Sequence, residues 1–311
     1  MVTIGVQTWG TDVTALLRYW RRADELGYAR LTYGDGLGPW THDGWTMLGA
    51  MAVAPRHLRV GPAVTYAFAP AAHHPSWLAK RVVAVDHLSG GRLDLRFGVG
   101  AEDAGAAAQW TSHGIEYPPA AERVARLEAT LTVLARLWTG ESVDAAGPGY
   151  VLHSAQILPR PVQRPGPPVW VAAMGPRALA LAARAAQGWE ASYLTPAALA
   201  AHWARVKRWL AAAGRAPESL RRSVEVDVVI GRHGDEVGRG LDRFLGARRL
   251  TRDHGLLATA LVGEPAVVRE QIGRFASAGA TDLMLGFSDF PDTAMLELFA
   301  ETVLPSLACG A

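Results

Sequence analysis

Short β-branched and aromatic runs alternate with longer helical patterns from one end of this chain to the other, and no block of strands or of helices stands apart. Strands are predicted at 2–7, 31–34, 58–65, 93–99, 169–173, 189–193, 224–230 and 282–286. Amphipathic helical segments follow at 12–27, 44–54, 75–88, 120–138, 176–186, 196–213, 235–249, 265–278 and 293–307. The start and stop chemistry agrees: Asp12 is placed to cap a helix carrying Leu16, Tyr19, Trp20, Ala23 and Leu26, and Gly27 stands where a left-handed stop is wanted. Eight βα repeats with no strand-only region predict an α/β fold, a (β/α)8 TIM barrel with insertion loops, as one domain over residues 1–311. A doubly wound open sheet is the alternative.

Three connections exceed what such a scaffold needs: 100–119, 139–168 and 231–264. The first and third follow predicted strands and open at the C-terminal face, where the chemistry of a barrel sits. The second follows a helix, and its sequence VDAAGPGYVLHSAQILPRPVQRPGPP reads as a short hairpin with a proline-rich return.

Several function classes lack support. Thirty-one Lys and Arg against 29 Asp and Glu leave a net charge of +2, and the basic residues occur as scattered pairs (Arg21-Arg22, Arg221-Arg222, Arg248-Arg249) rather than a stripe, so no nucleic-acid partner is expected. The one cysteine, Cys309, allows no disulfide framework and no thiolate metal site, which fits a reducing, cytoplasmic setting. No apolar run approaches the ~18 residues of a bilayer span. His73 and His74 have no acidic or Cys partner at ligand spacing, so no metal is expected. No nucleophile elbow, HExxH, Walker A or EF-hand loop occurs. Lys80 and Lys207 both fall in predicted helices, which argues against an aldolase-type barrel needing a strand-end lysine.

Four segments remain as site candidates. In AAMGPRALALAARAAQGW the fifth strand ends before Met174 and Gly175, and Pro176 opens a helix; that N-terminus offers free N–H groups to a phosphate. GVGAED at 98–103 fails the dinucleotide fingerprint because Asp103 stands at the third glycine, but it leaves Glu102 and Asp103 just past a strand end as proton donors or acceptors. Asp35, in LTYGDGLGPW, follows a strand with Trp40 five residues on, suited to a planar ligand and proton transfer; an Asx-type turn is the bland reading. Of the tryptophans, Trp9, Trp40 and Trp110 are candidates to wall an aromatic-ligand pocket, whereas Trp20, Trp77, Trp138, Trp203 and Trp209 suit helix packing. Glu190 and Asp227 lie within predicted strands, facing either inward or towards a helix cap.

The segments HHPSWLAKRVVAVDHLSGGRLDLRFGVG, YPPAAERVARLEATLTVLARLWTGE and LPRPVQRPGPPVWVAAMGPRALALAARAAQGW, with the flanking YWRRADELGY, GWTMLGAMAVAPRHLRVG, ALVGEPAVVREQIGRFASAGATDLML and FAETVLPSL in order, resemble the bacterial luciferase-like monooxygenase superfamily from end to end. The resemblance implies a barrel holding a planar flavin-type cofactor, acting on a small organic substrate, with members that often form homodimers. Two branches exist: hydride transfer with the deazaflavin coenzyme F-420, and monooxygenation with reduced FMN and O2, the latter drawing on a separate flavin reductase. YWRRADELGY, DGWTMLG and YPPAAERVARLE are similar to the deazaflavin branch. A non-catalytic flavin-binding barrel is a further alternative.

Carried over residue by residue, the resemblance places Asp35 and Trp40 beside the ring and a cis non-prolyl peptide at Ala63-Val64 behind it. It implies an acidic residue after the fourth strand that is matched by Asp103 in spacing and by Glu102 in type. It puts the cofactor phosphate on Met174, Gly175, Pro176 and Arg177. The catalytic candidates are therefore Asp35, Glu102 and Asp103. The family pattern has a His directly after the Asp; this chain has Gly36.

Overall fold

The computed structural model describes residues 2–69 and 73–308, so Cys309 lies outside the described residues. In chain order the elements are β1 (Thr3–Thr8), α1 (Val13–Glu25), β2 (Arg30–Tyr33), α2 (Gly44–Val53), β3 (Arg59–Pro62), β4 (Thr65–Tyr66), α3 (Pro75–Leu88), β5 (Leu95–Gly98), α4 (Ala104–Thr111), α5 (Ala120–Leu137), β6 (Val143–Gly147), β7 (Tyr150–Ala155), β8 (Val169–Ala172), α6 (Pro176–Ala185), β9 (Gly188–Ser192), α7 (Pro196–Ala212), β10 (Arg221–Ile230), α8 (Gly234–Arg248), β11 (Leu261–Gly263), α9 (Pro265–Ser277), β12 (Asp282–Phe287), α10 (Ala294–Thr302) and α11 (Leu304–Ala308). All eight predicted strands are present.

The chain divides into two compact units: residues 1–8, 12–32 and 190–311 form one, and residues 9–11 and 33–189 the other. In the first, β1, β12 and β10 lie side by side in parallel, and β11 adds to the far end of β10. Every residue of β12 is buried, as expected of a parallel strand covered on both faces. Helix α1 turns Leu16, Tyr19, Trp20 and Ala23 inward; Asp12 accepts from the Ala15 amide and Gly27 takes φ +81°, as the local sequence predicts. Tyr28, Phe287 and Phe299 pack as an aromatic cluster beneath the helices.

In the second unit, β4, β5 and β8 run parallel, with Tyr66 opposite Gly98 and Gly98 opposite Ala172. Strand β3 joins them through a bridge between Val60 and Leu93. Helices α2, α3, α5 and α6 pack in sequence along this unit. The predicted hairpin is present as antiparallel β6 and β7.

Four readings are corrected. The single strand predicted at 58–65 is two, β3 and β4, because the chain breaks pairing at Ala63 and Val64. The loop predicted at 100–119 contains α4, whose sequence AGAAAQWT has high helix propensity and an Asp ready to cap it. Trp110 lies in that helix, packed edge-on to Phe68 and Tyr66 in a cluster of its own, and so is a core residue rather than a pocket wall. Trp77, assigned to helix packing, is 66% exposed.

Candidate active site

The candidates of the second unit lie along one row of strand ends. The Ala63 amide donates to the Tyr33 carbonyl at 2.7 Å, so the chain after β3 meets the end of β2. The Ala63–Val64 peptide is cis. Gly98 then seats against Val64: a Cβ there would fall 2.3 Å from the Val64 Cγ2, so only glycine permits the approach. Gly98 in turn pairs with Ala172, two residues before Met174. Asp35, Val64, Glu102 and Met174 thus each follow one of these neighbouring ends.

Asp35 is withdrawn from water, its side chain 8% exposed. Gly44 makes room for it; a Cβ on that first residue of α2 would sit 2.5 Å from the Asp35 Cβ. Thr65 hydrogen-bonds the Asp35 carboxyl. Because the Trp45 indole N–H can only donate, and does so to the Thr65 oxygen at 3.3 Å, the Thr65 hydroxyl proton is free to point at Asp35. The other carboxyl oxygen, Oδ2, has no hydrogen-bond partner; its nearest basic atom is His73 Nε2 at 3.8 Å. Burial pushes the Asp35 carboxyl above its ordinary range, opposed by His73, and pushes the His73 imidazole below its own, opposed by Asp35. Gly36, next in sequence, has open space where a side chain would begin, and the imidazole facing Asp35 comes from His73 instead.

Trp40 is half exposed, its indole lying over Gly38, where a Cβ would meet the ring at 2.3 Å. Its carbonyl accepts from the Gly10 amide at 2.7 Å. At the start of α6, Met174, Gly175, Pro176 and Arg177 are all exposed, and Gly175 caps the helix without any side-chain hydrogen bond. The first-turn amides are therefore not taken by a capping side chain.

The profile of luciferase-like monooxygenases matches residues 3–282. The chain belongs to this family. Among curated relatives, the F420-dependent glucose-6-phosphate dehydrogenase of Microbacterium testaceum (strain StLB037) is 33% identical over 183 residues, covering 56% of this chain and 51% of the relative. The chain thus spans about half the length of the curated relatives it matches. Of solved structures, an F420-dependent secondary alcohol dehydrogenase in complex with an F420-acetone adduct superposes with TM-score 0.84 at 18% identity, covering 97% of this chain and 98% of the other. Monooxygenase RslO1 from Streptomyces bottropensis superposes with TM-score 0.82 at 24% identity, covering 98% and 100%. These likenesses show the fold, the α/β barrel of the luciferase-like enzymes, and exclude the doubly wound alternative.

In this luciferase-like chain the ambiguity between Glu102 and Asp103 has a structural side. Asp103 accepts from the Ala106 amide at 2.8 Å as the N-cap of α4, so its carboxylate already has a partner. Glu102 is exposed. The loop that carries it is tied down by a residue sequence reasoning passed over: the nearly buried Arg123 of α5 donates to the carbonyls of Val99, Pro118, Gly100 and Ala101. Tyr117 stacks over that guanidinium and its hydroxyl donates to the Ala101 carbonyl at 2.7 Å. Gly100 takes φ +75°, and a Cβ on it would strike the Tyr117 oxygen. An arginine inside an amphipathic helix carries no local sign of such a role.

The first unit holds a separate polar group. Glu190 and Asp227 are both buried, as the inward reading of the sequence allows. Asp227 is closed by a bidentate pair with Arg248 at 2.8 Å to each oxygen. Glu225, which no sequence pattern singles out, accepts from Gln7 at 2.6 Å, and burial raises its carboxyl. Among the described residues no three His, Cys, Asp or Glu side chains are grouped to hold a metal ion, and no helix is long and apolar enough to cross a membrane.

Proposed function

We propose that this chain is an oxidoreductase that passes hydride between deazaflavin coenzyme F-420 and a small organic substrate. The observation that carries the reading is the buried Asp35–His73 pair: reducing a carbonyl by hydride, or the reverse, needs a group that gives or takes a proton, and here burial disfavours the charged form of each member, raising the Asp35 carboxyl and lowering the His73 imidazole. The deazaflavin-dependent names among the relatives supply the choice of cofactor.

The residues present fit such a cofactor. The uncapped start of α6, with Arg177 in its first turn, suits a phosphate. The unfilled Oδ2 of Asp35 is a buried polar atom with hydrogen-bonding capacity to spare, and the half-exposed Trp40 indole suits a planar ring. When bound, the deazaflavin supplies two-electron hydride chemistry. The chain's own part is to hold the phosphate at residues 174–177 and to set the ring with Asp35, Trp40, Ala63 and Val64. Glu102, on the loop fastened by Arg123, then provides a second carboxylate for proton transfer, and Asp103 shapes that loop. The same reading includes a cytoplasmic homodimer.

The likeness to a monooxygenase structure favours a second reading, in which reduced FMN and O2 are used and a separate flavin reductase supplies the electrons. A fluorescence titration of the purified protein with F-420 and FMN, each oxidised and reduced, tests both. Selective binding of F-420 is the expected result. Selective binding of reduced FMN replaces the first reading by the second, binding without turnover on any carbonyl or alcohol leaves a cofactor carrier, and binding of neither overturns the proposal.

A further inference from the structure

We propose that His73 is the positioning residue of the site, its protonation coupled to that of Asp35 across a close contact and thereby setting which partner, donor or acceptor, the Asp35 Oδ2 offers to a bound ring. The inference rests on the function proposed above and names a residue which that function leaves unassigned.

The geometry comes first. Asp35 Oδ2 and His73 Nε2 stand 3.8 Å apart, with side chains 8% and 7% exposed. Neither Oδ2 nor the outer ring nitrogen, Nδ1, has a hydrogen-bond partner, so each member of the pair keeps one buried valence unfilled. Leaving such groups unfilled destabilises a fold, a cost usually offset by a role. His73 is fixed from its backbone, its amide donating to the Ala69 carbonyl at 2.9 Å, while Thr65 fixes the Asp35 carboxyl. The charged groups around the pair are few: Asp43, which caps α2, and Arg81 of α3. Asp43 favours the protonated forms and Arg81 the deprotonated forms of both members, so these two influences oppose each other, while burial, the largest influence, and the pair's own coupling act against one another.

The consequence is a two-state acceptor. With the proton on Asp35, Oδ2 donates; with it on His73, Oδ2 accepts as a carboxylate facing an imidazolium. A ligand that presents an acceptor draws the proton to Asp35, and one that presents a donor sends it to His73. Affinity for a ring that takes part in this choice must depend on pH, and the dependence must move when the imidazole is removed.

The test has two arms. In the first, the ring resonances of His73 are followed by NMR across pH in the protein without cofactor, for wild type and Asp35→Asn. The expected result is that His73 titrates lower in Asp35→Asn by about one unit, because the carboxylate that favours imidazolium is gone; an unchanged midpoint overturns the pair. In the second, the dissociation constant of F-420 is measured by fluorescence from pH 5 to 9 for wild type, His73→Asn and His73→Gln. The wild type is expected to change affinity about tenfold across that range and the profile of both variants to move to higher pH, because Asp35 loses the cation that favours its carboxylate; variants that keep the wild-type profile overturn the inference. Using two variants guards against one that fails to fold, checked by its melting curve. If wild type binds no F-420, the functional reading fails by itself, and the NMR arm still decides whether His73 and Asp35 titrate together.

Discussion

Asp282 and Asp35 are both aspartates withdrawn from water, yet their hydrogen-bonding capacity is used differently. Asp282, the first residue of β12, is fully buried and accepts from Arg30 at 3.0 Å, from Arg221 at 2.8 and 3.0 Å, and from the Thr281 hydroxyl at 2.7 Å. Asp35, beyond the C-terminal end of β2, has Thr65 on its carboxyl and an unfilled Oδ2. The satisfied acid lies at a strand's start, and the unsatisfied one lies past a strand's end, the side of a barrel on which the proposed site is built. A buried acid is thus informative through what it lacks: complete pairing is what a structural joint needs, and a remaining valence is what the proposed site uses.

The largest effect that sharpens this contrast is expected of Asp282→Ala. It removes the fully buried carboxylate that pairs with Arg30 and Arg221, and should cost about 3–5 kcal/mol in urea unfolding. A loss under about 1 kcal/mol would break the comparison from the structural side.

Asp35→Ala should do the reverse. Cofactor affinity or turnover is expected to fall about tenfold or more, whereas stability should change by no more than about 1 kcal/mol, since an orphaned acceptor is removed along with its bond to Thr65. Unchanged affinity and turnover would take Asp35 out of the site. The pH dependence has a fixed sign. The folded-state pKa of Asp35 is raised, so its contribution to stability is full below the ordinary carboxylate range and is lost as pH rises through the raised value. That of His73 is lowered, so its contribution is full above about 6.5 and is lost as pH falls through the lowered value. Denaturant midpoints at several pH values should therefore show wild type losing ground to Asp35→Asn as pH rises.

The smallest effects separate Glu102 from Asp103. Asp103→Ala removes the cap of α4 and should cost about 1 kcal/mol with turnover little changed. Glu102→Gln should leave stability within about 0.5 kcal/mol and lower turnover. The opposite pattern would assign the proton-handling carboxylate to Asp103.

Much of the fold was legible because it is written locally. The Asp12 cap, the Gly27 stop, the proline that opens α6 and the β6–β7 hairpin all depend on residues a few positions apart. The site was legible in part. Asp35, Trp40 and residues 174–177 announce themselves by following predicted strands, but the two acids at 102 and 103 look alike until a helix is seen to begin at Ala104. Arg123 and Glu225 were invisible, since neither a charged residue in a helix nor one in a strand reveals that its partners are carbonyls or a glutamine from distant segments.

By itself, then, the sequence determined the α/β alternation, the family and the row of strand ends on which the candidates lie, because period, capping and turn chemistry act over one or two turns of chain. Only the tertiary structure decided which carboxylates are satisfied and which are left open. His73 reaches Asp35 because α3 begins beside the end of β2 once the sheet is assembled, and Asp282 is quenched because Arg30 and Arg221 arrive from two other strands. Hydrogen-bond satisfaction and desolvation depend on the whole packed neighbourhood, and no window of sequence contains it.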